Sequence, residues 1–174
     1  MRKHLLFSHL RPTLLLVLFF SLSVPMLFSC MKNNDPALDN TDYSARDEEI
    51  LKAYIAANNL TAQRQPKGTY VVITQAGTGA TPTKGQTVSV LYTGTTLDGK
   101  VFDSTTNRGN KPFEFHIGQG EVIQGWDEGI ALLNKGAKAT LLIPSGLGYG
   151  AYGAGQTIPP HTVLRFDVEL TDIK

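Results

Sequence analysis

A set of aromatic side chains placed beside turns holds the first residues in this sequence that could do chemistry: Tyr92, Phe102, Phe113, Phe115, Trp126, Tyr149, Tyr152 and Phe166. Read singly, each ring belongs in a core, because aromatic side chains bury large areas. The spacing of the motifs that surround them sets these rings apart from an ordinary core. Read alone, Asp103 is a turn residue after a hairpin. Other common chemistries lack their residues. His116 and His161 have no cysteine or spaced carboxylates beside them to complete a metal site. Gly148 to Gly153 has the spacing of a dinucleotide fingerprint, but Ala154-Gly155-Gln156-Thr157-Ile158-Pro159-Pro160 follows and cannot open the helix that a pyrophosphate needs. Those glycines make a loop instead. Ser145 lies outside any Gly-x-Ser-x-Gly elbow.

The elements that must position these rings are strands. Tyr70 to Thr74 and Thr87 to Thr96 are dense in Val, Ile, Thr and Tyr and are bounded by Gly and Pro. Asp98-Gly99 is a hairpin signal leading into Val101 and Phe102. Phe113 to Ile117 and Ala137 to Ile143 read the same way. In the last segment Leu164, Phe166, Val168 and Leu170 alternate with Arg165, Asp167 and Glu169, so one face is apolar and the other charged. Among the strands lies one helical stretch, with Ile123, Trp126, Ile130 and Leu133 on one face. Several one-sided strands and one amphipathic helix predict an α+β fold, an antiparallel β-sheet wrapped around a short α-helix. A second short helix is expected from Arg46 to Leu60, where Ile50, Leu51, Tyr54, Ile55 and Leu60 recur at helical spacing behind Asp47, Glu48 and Glu49. Isolated helices of this length are marginal in water. Its apolar face must therefore pack on the domain that follows or on a second copy of the chain, and the first is expected, which makes the protein a monomer.

Taken together, the motifs resemble those of the FKBP-type prolyl isomerases. The likeness is carried by Tyr92-Thr93-Gly94, Asp98-Gly99-Lys100-Val101-Phe102-Asp103-Ser104, Lys111-Pro112-Phe113-Glu114-Phe115 and Gly118 through Glu121-Val122-Ile123-Gln124-Gly125-Trp126-Asp127-Glu128-Gly129. Ile143-Pro144-Ser145, Tyr149-Gly150, Ile158-Pro159-Pro160-His161 and the closing Leu164-x-Phe166-x-Val168-Glu169-Leu170 complete it. It runs over residues 68–174, with the motifs in the family's order and at its separations. The resemblance implies acceleration of X-Pro bond rotation with no cofactor and no metal, on proline-containing unfolded or folding polypeptides. It makes Trp126 the floor of a pocket walled by Tyr92, Phe113, Val122, Ile123 and Phe166. It makes the Tyr149 phenol and the Ile123 N–H donors to substrate carbonyls, and places Phe102 and Asp103 at the pocket. Catalytic roles accordingly fall on Asp103, Tyr149, Phe102 and Phe166. Ala154 and Gly155 stand where well-known members carry a histidine and a proline. A binding module that keeps the fold without catalysis is the competing reading, but it would need neither Asp103 nor the phenol of Tyr149.

The N-terminal third reads differently. Arg2, Lys3 and Arg11 precede an uncharged apolar run from Thr13 to Phe28, the layout of a secretory signal over residues 1–29. Leu27-Phe28-Ser29-Cys30 resembles a bacterial lipobox, although Phe28 stands where a smaller residue is usual. A plain membrane anchor is the alternative, near the lower limit of the ~17 to 25 residues that span a bilayer. The lone cysteine at the end of the run favours the lipobox. Lipidation is therefore expected at Cys30, anchoring the mature chain to a bacterial membrane outside the cytoplasm, on the periplasmic face or the cell surface. Residues 30–45, rich in Asn, Asp and Ser, are expected to form a flexible tether; residues 46–67 would then be the helix and its connection. The leader carries three of the positive charges and no acids, so the chain goes from +1 to 1 − 3 = −2 without it. A nearly neutral body does not suggest a nucleic-acid partner.

Overall fold

In a computed structural model, residues 41–174 are described; the leader, Cys30 and the tether as far as residue 40 lie outside them. The alternating segments become seven antiparallel strands: β1 (Gln63–Arg64), β2 (Tyr70–Gln75), β3 (Thr87–Thr96), β4 (Val101–Ser104), β5 (Phe113–His116), β6 (Lys138–Ile143) and β7 (Leu164–Ile173). The order across the sheet is β1-β2-β6-β7-β3-β4, with β5 also paired to β3. Long β3 thus has β7 along one edge, while β5 pairs with its first half and β4 with its second. The Asp98-Gly99 turn joins β3 to β4, Gly99 taking a left-handed φ of 87° and donating to the Thr96 carbonyl at 2.9 Å.

The sheet's inner face closes over α2 (Gln124–Ile130), as the α+β pattern requires. Val88, Val90, Leu141, Ile143, Phe166, Val168 and Leu170 meet Trp126, Ile130 and Leu133 in one buried core. A side-chain carbon at Gly125 would stand 2.4 Å from Ile143 Cγ2, so only glycine lets α2 lie this close to β6. Two acids of α2 tie neighbouring loops to it: Asp127 accepts the N–H groups of Gly118 and Gly120 at 2.8 and 3.0 Å, and Glu128 those of Lys67 and Thr69 at 2.7 and 3.2 Å.

The outer face is partly covered by α1 (Ser44–Ala57), which packs on its own domain. Leu51 is fully buried there against Tyr70, Leu142 and Val163, with Tyr54, Ile55 and Leu60 around it. Leu141 faces one core and Leu142 the other, so β6 is apolar on both faces. Two expectations need correction. The helix begins at Ser44, two residues before Arg46, because Asp42 Oδ1 accepts the Ser44 N–H at 2.9 Å and opens the first turn earlier. Ile50, expected on the buried face, points to solvent, because one residue of helix rotation centres the contact on Leu51. The helix stops at Asn58, and Asn59 takes a left-handed φ of 50°. Among the described residues no helix is long and apolar enough to cross a membrane.

Candidate active site

Asp103 shows how the strands build the site. It pairs with Gly94 across β3 and β4, and Gly94 pairs with Phe166 on the other side. A side-chain carbon at Gly94 would come within 2.6 to 2.7 Å of the Phe102 and Phe166 rings. The bare backbone there lets those two rings meet edge to face, centroids 5.4 Å apart. Behind them Tyr92, on the same strand, meets Trp126 at 4.9 Å and 83°, and Trp126 meets Phe166 at 5.2 Å and 82°. Such edge-to-face contacts set the electropositive ring edge against the electron-rich face. Trp126 is buried, and among the described residues its Nε1 meets no protein acceptor.

These rings surround a cavity of about 540 Å³. All nine residues singled out for catalysis and substrate binding line it: Tyr92, Phe102, Asp103, Phe113, Val122, Ile123, Trp126, Tyr149 and Phe166. They come from β3, β4, β5, β7, α2 and the lead into it, and the loop after β6, so only the complete fold assembles them. Tyr92, Trp126 and Phe166 are buried, whereas Phe113 and Tyr149 stand more exposed at the rim. Ile123 caps α2 with φ −58° and ψ 145°, and its carbonyl accepts the Trp126 N–H at 2.9 Å. Among the described residues its own N–H meets no protein acceptor.

Polar groups occupy one side of the cavity. Asp103 accepts from the Tyr92 hydroxyl at 2.5 Å, from its neighbour Ser104 N–H at 2.9 Å and from Arg108 Nη2 at 2.9 and 3.0 Å. Burial, then the hydrogen bond to Asp103 and its charge, push the Tyr92 phenol up to about 12. Tyr149 is raised too, by burial first and the charge of Asp103 second. Both phenols therefore stay protonated at neutral pH and remain donors. Arg108 and Glu121 also line the cavity and were not singled out in the sequence. Arg108 reaches Asp103 only because the 3-10 turn Thr105–Arg108 folds back, and Ser104 Oγ starts that turn by accepting the Thr106 N–H at 3.2 Å. Glu121 is held by the His116 N–H at 2.9 Å and lies 2.7 Å from His116 Nδ1. Among the described residues no group of three His, Cys, Asp or Glu side chains comes together that could hold a metal.

Comparison with known proteins gives the family. The profile of the FKBP-type peptidyl-prolyl cis-trans isomerase family matches residues 79–171. The Drosophila melanogaster peptidyl-prolyl cis-trans isomerase Fkbp12 is 50% identical over 108 residues, covering 62% of this chain and 99% of its own. An FK506-binding protein of Neisseria meningitidis serogroup B is 46% identical over 99 residues, covering 57% of this chain and 90% of its own. Among solved structures, Escherichia coli FkpA superposes with a TM-score of 0.65 at 38% identity, over 75% of this chain and 61% of that one. AtFKBP13 gives 0.61 at 41% identity, over 66% and 99%. With the family profile matched over more than half of the chain and half the residues of a whole relative retained, the chain belongs to the FKBP-type peptidyl-prolyl cis-trans isomerases and acts on proline-containing polypeptides.

Proposed function

We propose that the chain is a lipid-anchored isomerase that speeds X-Pro rotation in polypeptides folding outside the cytoplasm, and that the cavity walled by Trp126, Tyr92 and Phe166 receives the prolyl ring. The observation that carries the pocket reading is the convergence of nine separately positioned residues on one apolar cavity with protonated donors at its edge.

The chemistry asked of it is modest. Rotation about an amide faces a barrier of ~18 to 20 kcal/mol because the C–N bond has partial double-bond character. The planar amide is more charge-separated than the twisted one, so a dry aromatic wall disfavours the ground state relative to the transition state. With the ring on Trp126, the Tyr149 hydroxyl donates to the carbonyl of the rotating amide and the Ile123 N–H to a neighbouring carbonyl. Both donors are fixed before the substrate arrives, so orienting it costs little reorganisation. Asp103, tied to Tyr92 and Arg108, keeps the pocket edge polar and its geometry fixed. No bond is made or broken, so the route needs neither nucleophile nor proton transfer.

The test is the isomerisation rate of proline tetrapeptides with the chain from Met31 onward, beside Asp103→Leu, Tyr149→Phe and Phe166→Ala. Wild-type rates in all three folded variants would place the pocket elsewhere and leave the binding-module reading standing. For the anchor, the lipobox-like Leu27 to Cys30 supports acylation at Cys30. Cys30→Ser should lose labelled palmitate, and unchanged labelling would remove the idea.

A further inference from the structure

We infer that Asp47 and Arg46, in the first turn of α1, are positioning residues that hold the loop carrying Tyr149 in its working place. This rests on the pocket reading above. The helix lies outside the residues that match the family profile, so the device lies N-terminal to that matched region.

The Asp47 carboxylate is 1% exposed, and a charge removed from water persists only where donors surround it. Here one oxygen accepts the Ser145 N–H at 2.7 Å and the Ser145 hydroxyl at 2.5 Å, and the other accepts Arg46 Nε at 3.0 Å and Nη2 at 2.5 Å. Ser145 opens the 3-10 turn Ser145–Leu147, whose last bond, Gly148 N–H to the Ser145 carbonyl at 3.0 Å, delivers the chain to Tyr149. Arg46 holds the far end. Its Nη2 donates to the His161 carbonyl at 2.6 Å, while the His161 N–H donates to the Gly150 carbonyl at 2.8 Å. His161 has φ 54°, a backbone conformation that a non-glycine residue seldom adopts unless its surroundings impose it. Tyr43 meets the His161 ring at a 45° tilt, centroids 4.2 Å apart, and Arg46 lies over the Tyr43 ring at 4.1 Å. Helix and sheet are already joined by the apolar contacts of Leu51, Tyr54 and Ile55 and by hydrogen bonds from Tyr70 and Arg64 to Glu48 and from Arg165 to the Tyr54 hydroxyl, but none of these reaches the loop that carries Tyr149. The buried carboxylate does: it fixes one residue of the loop, four positions before Tyr149.

The test is kcat/KM for a proline tetrapeptide, measured on the full chain in two backgrounds, native and Tyr149→Ala. Asp47→Ala should lower kcat/KM about threefold to tenfold in the native background, the size of one or two hydrogen bonds. With the Tyr149 ring absent, placing it no longer matters, and the same change should cost less than about twofold. Asp47→Asn keeps an acceptor for Ser145 and should retain more than about half the rate. An equal loss in both backgrounds, or no loss in the native one, overturns the proposal. Should Asp47→Ala not fold, Ser145→Ala removes one hydroxyl donor and should cost about twofold with the same background dependence, deciding the matter. Native activity in Tyr149→Ala itself would be a different failure, that of the pocket reading.

Discussion

Replacing Asp103 by leucine leaves the buried Tyr92 hydroxyl without its acceptor and releases the exposed Arg108 guanidinium to solvent. From the sequence Asp103 reads as a pocket-edge residue with little part in the core, yet its bond to buried Tyr92 links it to the buried wall of the site. Asp103→Leu should therefore slow isomerisation and also lower stability by ~1 to 3 kcal/mol, read as a shifted urea midpoint. In Tyr92→Phe the same change should cost less, and additive losses would mean that the bond carries no weight. Tyr92 also predicts an alkaline limit. Its folded value of about 12 lies above the ordinary 10.0, so its contribution is complete below pH 10 and is lost as pH rises from there through about 12. Tyr92→Phe should flatten that part of a stability-against-pH curve. Phe166→Ala removes a ring that is core and cavity wall together and should cost ~3 to 5 kcal/mol along with activity. Tyr149→Phe removes one hydroxyl, and a loss beyond that of a net hydrogen bond, ~0.5 to 1.5 kcal/mol, would give the phenol a larger part than orientation. The nine cavity residues were legible because each sits in a motif whose order and spacing survive in the chain. Arg108 was not, because its reach to Asp103 depends on how a short turn folds, and no periodicity encodes that.

Strands were the most legible elements, since an alternating β-branched and aromatic pattern leaves few alternatives. β7 follows its pattern residue by residue, buried at Leu164, Phe166, Val168 and Leu170. Two-residue β1 is too short to show any period. The helices were legible as faces but not as rotations. In α1, Ile50 and Leu51 are equally apolar in sequence, and only docking on Tyr70, Leu142 and Val163 selects Leu51. Leu51→Ala should then cost ~2 to 5 kcal/mol in the urea midpoint, whereas Ile50→Ala should stay within about 0.5. Equal effects would mean that the helix does not dock as described. At the other helix, Gly125→Ala forces a methyl against Ile143 and should cost ~1 to 3 kcal/mol.

At the scale of the molecule, α1 spends its apolar face on its own sheet, which supports the expectation of a monomer. Sedimentation of the chain from Met31 should give one species, and a concentration-dependent dimer lost on deleting residues 44–57 would contradict that. The same helix has a consequence for where the enzyme works. Its first turn grips the loop that lines the cavity, so the chain leaves the folded body on the same side as its proposed catalytic loop. With a lipid at Cys30, about 13 residues separate the bilayer from Tyr43, a leash of at most ~45 Å when fully extended. The pocket would then patrol a thin layer above the lipid and meet chains held in that layer at the high effective concentration that tethering confers. Proline peptides fixed to the same vesicle by short spacers should be turned over faster than identical peptides free in solution, and that advantage should shrink as the leash is lengthened with Gly-Ser repeats.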